Sequence, residues 1–131
     1  MFRNTSSPVD LSRTLVHLRE GGVAEPSARP GTADPGLWTI GAIHADNSKA
    51  LHSDVWERHP TGQEVLCVLS GTVHVHLRDH DAGNEPFATV TAGHAFIVPA
   101  GTWHRLTVAE PADLLAVTPR AETQHERVRA A

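Results

Sequence analysis

Apolar residues recur along this chain at two spacings, and the change from one to the other divides it. Near the amino terminus Leu11, Leu15 and Leu18 follow one another at helical intervals, with Asp10 placed to cap and Gly21 and Gly22 placed to end the element. This predicts a short helix over residues 10–22 that packs on the outside of the domain. The stretch AEPSARPGTADPG after it reads as an irregular linker rather than a domain boundary. From Leu37 the pattern becomes short and alternating: LWTIGAI, VLCVL, TVHVHL, FATVT, AFIVP, RLTVA and DLLAVTP, separated by glycine, proline, asparagine or aspartate. Runs of this kind predict a small antiparallel β-sandwich or barrel. The polar tail AETQHERVRAA predicts a frayed helix or disorder, and no function is attached to it. The expected organisation is therefore a helix and linker over residues 1–36, one β domain over residues 37–119 and a tail over residues 120–131.

Strand parity decides which polar side chains meet, because successive residues point to opposite faces. The stretch WERHPTGQEVLCVLSG, residues 56–71, places Glu57, His59 and Glu64 within eight positions. With His59 facing the interior, Glu57, Val55, Ser53 and Leu51 face it too, while Trp56, Arg58 and His52 face out. A four-residue turn returns the chain so that Glu64, Leu66 and Val68 share the inner face. Further on, PAG makes a tight turn and His104 opens the next strand, bringing Leu106 and Val108 to the same side. The enclosed space is mainly aliphatic, a shape suited to a small organic molecule. No arginine has the parity to face inward beside these groups, and Arg58 and Arg105 are expected to point out. His74 and His76 form a literal HxH, but Val73, Val75 and Leu77 make the apolar face of that run, so both histidines are expected on the surface or at an interface. His17, His44, His80 and His125 are expected in solvent, and His94 is unassigned.

Composition narrows the class. With 131 residues the chain is one ordinary domain. Its 15 Asp and Glu against 11 Lys and Arg, with no basic stripe, argue against a nucleic-acid partner. The single cysteine, Cys67, lies in an apolar run where packing suffices to explain it, and a reducing compartment suits it. With neither a signal-peptide stretch nor a run of some twenty apolar residues, the expectation is a cytoplasmic protein off the membrane. Ten histidines are the one unusual feature, and imidazole is both a proton carrier and a metal ligand.

The spacing of these residues resembles the cupin superfamily, small single-domain bacterial members above all. That family has a first motif Gx5HxHx3–4Ex6G and a second Gx5PxGx2Hx3N. Here four residues separate His59 from Glu64, six separate Glu64 from Gly71, and Gly93, Pro99, Gly101 and His104 stand at the second motif's positions. The resemblance covers residues 37–119 and implies an all-β double-stranded β-helix, the cupin jelly roll, with a divalent metal near one mouth. Two positions depart from it: Glu57 stands where the first histidine of HxH is usual, and Val108 where asparagine is. Carried over residue by residue, the implied ligand set is Glu57, His59, Glu64 and His104. Two carboxylates bring a divalent ion close to neutral and weaken its pull on an anion. Such donors accept zinc, iron, manganese or nickel alike. Glu57 is either a ligand or a general acid or base beside a three-ligand ion.

Family membership does not choose the function. The first expectation is a metal-dependent enzyme acting on a small molecule, by dioxygenase, isomerase, lyase or cyclase chemistry. The alternative is a regulatory module that binds a metal and a small ligand without turnover. Trp56, Trp103, His52, His74 and His76, with outward parity, predict a homodimer.

Overall fold

The computed structural model describes residues 7–27, 37–80 and 85–129. Of the linker expected at residues 24–36, residues 28–36 lie outside them, as do residues 81–84, while residues 24–27 form part of a strand instead. Among the described residues there are nine strands and no α-helix: β1 (Leu15–Arg19), β2 (Val23–Ser27), β3 (Trp38–Ala45), β4 (Val55–Arg58), β5 (Glu64–Leu77), β6 (Ala88–Thr91), β7 (His94–Val98), β8 (His104–Pro119) and β9 (Gln124–Arg127). None of their helical turns is long and apolar enough to cross a membrane.

The expected amino-terminal helix does not form. Asp10 does cap, but only one turn: its Oδ1 accepts from the Ser12 backbone N–H at 3.0 Å, and its carbonyl accepts from Thr14 N–H at 2.9 Å. The chain then extends into β1. Leu15, Val16, His17 and Leu18 satisfy a period of two as well as one of 3.6, and the competing interactions are non-local. β1 pairs with the edge of β3 through Val16↔Ile40, and Gly21 and Gly22 adopt φ of +80° and +76° to close a hairpin onto β2. Two adjacent residues with positive φ suit a hairpin turn better than a helix end.

The sheet runs β2-β1-β3-β8-β4-β9, and β5 joins it through β8 and carries β6 and β7 on its other edge. What read as separate short runs are two long bent strands, β5 and β8, paired from Val65↔Val117 to Leu77↔His104 with register shifts between Val68 and Val73. Bulges there let each strand serve both halves of the fold. The core lies between the halves, on Val68, Val73, Val75, Leu77, Val90, Ala112 and Leu114.

The outer face of the second half is not open, as outward parity had implied. Trp56 is only 5% exposed, with the Arg105 guanidinium 5.1 Å above its ring, and Trp103 is held between Arg58 and Arg78 at 4.7 and 4.5 Å. These stacks cover the sheet with cations whose stems are apolar. His76 is buried beneath this layer, its Nε2 2.9 Å from Thr107 Oγ1, and His74 meets Thr89 Oγ1 at 3.0 Å. His17, expected in solvent, is buried opposite Thr39 on the inner face of β1. His44 and His80 are exposed as expected, and so is His94, which bonds its own turn at Thr91.

Gly71 is where β5 bends. At φ +80°, its absent Cβ would lie 1.9 Å from the Pro111 carbonyl oxygen of β8, whereas a Cβ on Gly93 at φ +84° meets nothing within 4 Å. Both substitutions by alanine carry the left-handed penalty of about 1 kcal/mol, and Gly71→Ala adds a backbone clash that brings its cost to about 3 kcal/mol. Urea unfolding of the two variants should show this difference, and equal losses would contradict the account of the bend.

Candidate metal centre

Four side chains converge because three chain reversals meet at one end of the fold. β4 touches β8 at one register, Glu57↔His104, and on its other edge pairs with β9 through Glu57↔His125. The turn at residues 60–63 then brings Glu64 to the start of β5. The PAG turn is tied to this point by a hydrogen bond from Gly101 N–H to the His59 carbonyl at 3.0 Å, with Gly101 at φ +73°. The turns bearing His59 and His104 are thus one assembly.

Glu57, His59, Glu64 and His104 each offer one donor atom, and the four lie within 4.8 Å of one another. His59, Glu64 and His104 are buried, and the Glu57 side chain is 30% exposed. Glu64 is the hub: Oε1 is 3.0 Å from His104 Nε2, and Oε2 accepts from Thr118 Oγ1 at 2.6 Å and lies 3.4 Å from His59 Nε2. His59 Nε2 is also 2.9 Å from Glu57 Oε1, yet it makes no well-directed hydrogen bond.

The backs of the two rings fix their protons. Thr123 Oγ1 donates to the Arg120 carbonyl at 3.1 Å, so at 2.9 Å it must accept from His59 Nδ1–H. His104 Nδ1 faces the Thr102 carbonyl at 3.1 Å and must donate as well. Neutral rings held in this way turn their Nε2 lone pairs toward carboxylate oxygens, an arrangement that repels unless positive charge lies among them. Imidazoles bonded at the rear to oxygen acceptors, with a buried nitrogen lacking a directed bond, are the usual setting of metal-ligating histidines. The residues fit a cation.

A proton supplies that charge when a metal does not. Burial alone lowers the pKa of His59, but the adjacent Glu57 and Glu64 carboxylates raise it to about 9. Burial raises that of Glu64, yet His104 and His59 beside it hold the carboxyl well below the usual range. Glu57 is also held low: burial and the Glu64 charge push it up, and the nearby His59 and the bond from His125 outweigh them.

The centre opens into a cavity of about 880 Å³. Leu51, Val55, Leu66 and Leu106 line it as parity predicts, whereas Ser53, Val68 and Val108 do not reach it. Two of its residues lie in the region that seemed an idle tail. His125, on β9, places Nε2 2.6 Å from Glu57 Oε2, and Arg120 forms part of the wall. The alternation in QHER hints at a strand, but its partner β4 lies some seventy residues earlier and no local pattern names it.

A profile described as a cupin domain matches residues 49–118, more than half of the chain. The chain belongs to the cupin family. No curated protein matches it. Among solved structures it is similar to a protein with a double-stranded β-helix domain from Klebsiella pneumoniae, at 19% identity over 76% of this chain and 75% of that one, with a TM-score of 0.53. That likeness shows the shared all-β fold. A cupin-2 domain protein from Shewanella frigidimarina is 21% identical over 64% of this chain and 70% of its own, with a TM-score of 0.45. A hydroxypropylphosphonic acid epoxidase from S. wedmorenis is 26% identical over 63% of this chain and 42% of its own, with a TM-score of 0.44.

Within this cupin, Glu57 touches His59 with one oxygen and His125 with the other. If it completes the donor set, Glu57→Ala weakens zinc binding by about tenfold or more while Glu57→His retains it. Titration calorimetry on the three proteins decides this, and equal affinities would remove Glu57 from the ligand set.

Proposed function

We propose that this cupin is a metal-dependent enzyme that acts on a small organic molecule in the cavity beside Glu57. The observation that carries this reading is the pair of rear-bonded imidazoles whose Nε2 atoms face two carboxylates. His59, Glu64 and His104 would hold a divalent transition ion of the zinc, iron, manganese or nickel class, with Glu57 as fourth donor or as proton carrier. When bound, such an ion supplies Lewis acidity to a coordinated substrate oxygen. The chain's own residues provide the rest. Leu51, Val55, Leu66 and Leu106 give the wall its aliphatic part, and Glu57 and His125, 30% and 57% exposed and hydrogen-bonded at 2.6 Å, form a path for protons from the buried centre to solvent. A purely ligand-binding, regulatory role would need the donor cluster but not this path, which favours the enzyme.

Elemental analysis of gently purified protein should find about one equivalent of a divalent transition ion per chain, and His59→Ala and His104→Ala should each lose it. A wild type that carries none and binds none on titration would refute the reading.

We also propose that two copies pair, through a different surface from the one parity suggested. Trp56 and His76 are buried, but the outer face of β5, β7 and β8 carries Val65 between Ile97 and Val117, and Cys67 between Ala95 and Leu115. Ile97 is 56% exposed and Leu69 on β5 57%. Apolar side chains clustered in this way mark an interface. Light scattering at micromolar concentration should give twice the chain mass, falling to one chain mass in Ile97→Lys, and a monomeric wild type would count against it.

A further inference from the structure

Two arginines that the metal centre does not use line the cavity: Arg105, whose guanidinium lies over the Trp56 ring, and Arg120. Arg120 follows β8 on the inner parity of Leu114, Ala116 and Thr118, roughly 7 Å along an extended chain from Thr118. Its Nε donates to Thr39 Oγ1 at 2.8 Å, and Thr39 is fully buried, so the guanidinium is drawn inward and held by one of its five N–H groups. Among the described residues no carboxylate pairs with it. Arg19, Arg78 and Arg127, by contrast, each lie against a glutamate or aspartate.

The surroundings sharpen the contrast. A second hollow of about 290 Å³ shares the Ala116 and Arg120 wall with the main cavity, is bounded by the segment Leu11 to Leu15, and has no carboxylate in its wall. In the main cavity the carboxylates are Glu57 and Glu64, and both are engaged by histidines. Ala42, Ile43, Leu66 and Ala116 add hydrocarbon to the wall of the main cavity. A partly buried guanidinium with free donors in such a space is matched by a planar anion that takes two of them at once. With Glu57 and Glu64 both beside it, a divalent ion held at the metal centre would be close to neutral and would compete weakly for that anion.

We propose that Arg120 is the anion-binding end of the substrate site, and that the substrate is a small aliphatic carboxylate whose carboxylate pairs with Arg120 while its other end reaches the Glu57, His59, Glu64 and His104 cluster. The substrate class rests on the functional reading above, but the Arg120 contact does not require a metal, so the two fail separately.

The test uses hexanoate and its neutral isostere hexanamide as probes, in titration calorimetry on metal-free and zinc-loaded full-length protein, with metal content measured in parallel. Wild type should bind hexanoate about tenfold or more tightly than hexanamide in both forms. Arg120→Met should abolish that preference with metal content unchanged, and Arg120→Lys should retain part of it. No saturable hexanoate binding at millimolar concentration, equal affinities in wild type, or a preference that survives in Arg120→Met would overturn the proposal. A wild type that takes up no zinc yet prefers hexanoate would refute the metal reading and leave Arg120 its role.

Discussion

Glu64 keeps a carboxylate almost entirely out of water, and the geometry of this cupin follows from the need to satisfy it. An ionised carboxyl at that depth costs several kcal/mol unless its oxygens are claimed by donors or opposite charge. The groups that claim them come from separate places: His104 from the start of β8, Thr118 from its end and His59 from the turn after β4. They meet because β5 and β8 pair along their length in two registers one residue apart, from Val65↔Val117 at one end to Leu77↔His104 at the other. A slip of one residue would turn Glu64, Leu66 and Val68 out together and leave the imidazoles facing hydrocarbon. The bend at Gly71, where β5 passes against the Pro111 carbonyl, falls in the bulged stretch between Val68 and Val73 where that register shifts. Fold and site are one constraint.

That constraint is local enough in sequence for much of it to be read there. The turn at residues 60–63 joins adjacent strands, so the parity of Glu57, His59 and Glu64 could be counted, and the PAG turn allowed the same for His104. The helix expected at residues 10–22 shows where counting fails: Leu11, Leu15 and Leu18 fit the helical spacing, yet pairing with β3 draws residues 15–19 into a strand. Trp56 and His76 show another limit. Parity tells which face a side chain takes, but whether that face meets water depends on what lies over it, and here the cover is arginine stacked on tryptophan.

The segment least legible was the one after Pro119. Its residues are polar and few, yet the turn from Arg120 to Thr123 is fastened on several sides. Arg120 N–H donates to the Leu37 carbonyl at 3.1 Å, Thr61 Oγ1 donates to the Ala121 carbonyl at 3.3 Å, and Glu122 holds a left-handed φ of 59°. A non-glycine residue in that conformation costs of order 1 kcal/mol and persists only where its surroundings determine it. None of these contacts leaves a periodic signature, because every partner lies on another element.

What that turn does explains why it is fastened. Thr123 Oγ1 accepts from His59 Nδ1 and donates to the Arg120 carbonyl, so one hydroxyl sets the tautomer of the His59 ring and anchors the turn that carries Arg120. From the same turn β9 departs to bring His125 against Glu57. The proposed metal donor, proton path and anion site are therefore not independent additions to a barrel. They share a few residues of backbone, and a shift of that backbone would move the lone pair of His59 and the guanidinium of Arg120 together. A cupin whose centre carries two carboxylates has little long-range attraction for an anion. Placing the cation on the backbone that orients His59 gives the ligand's far end a fixed distance from the donor cluster, which is the geometric condition for holding a small molecule in one reactive pose.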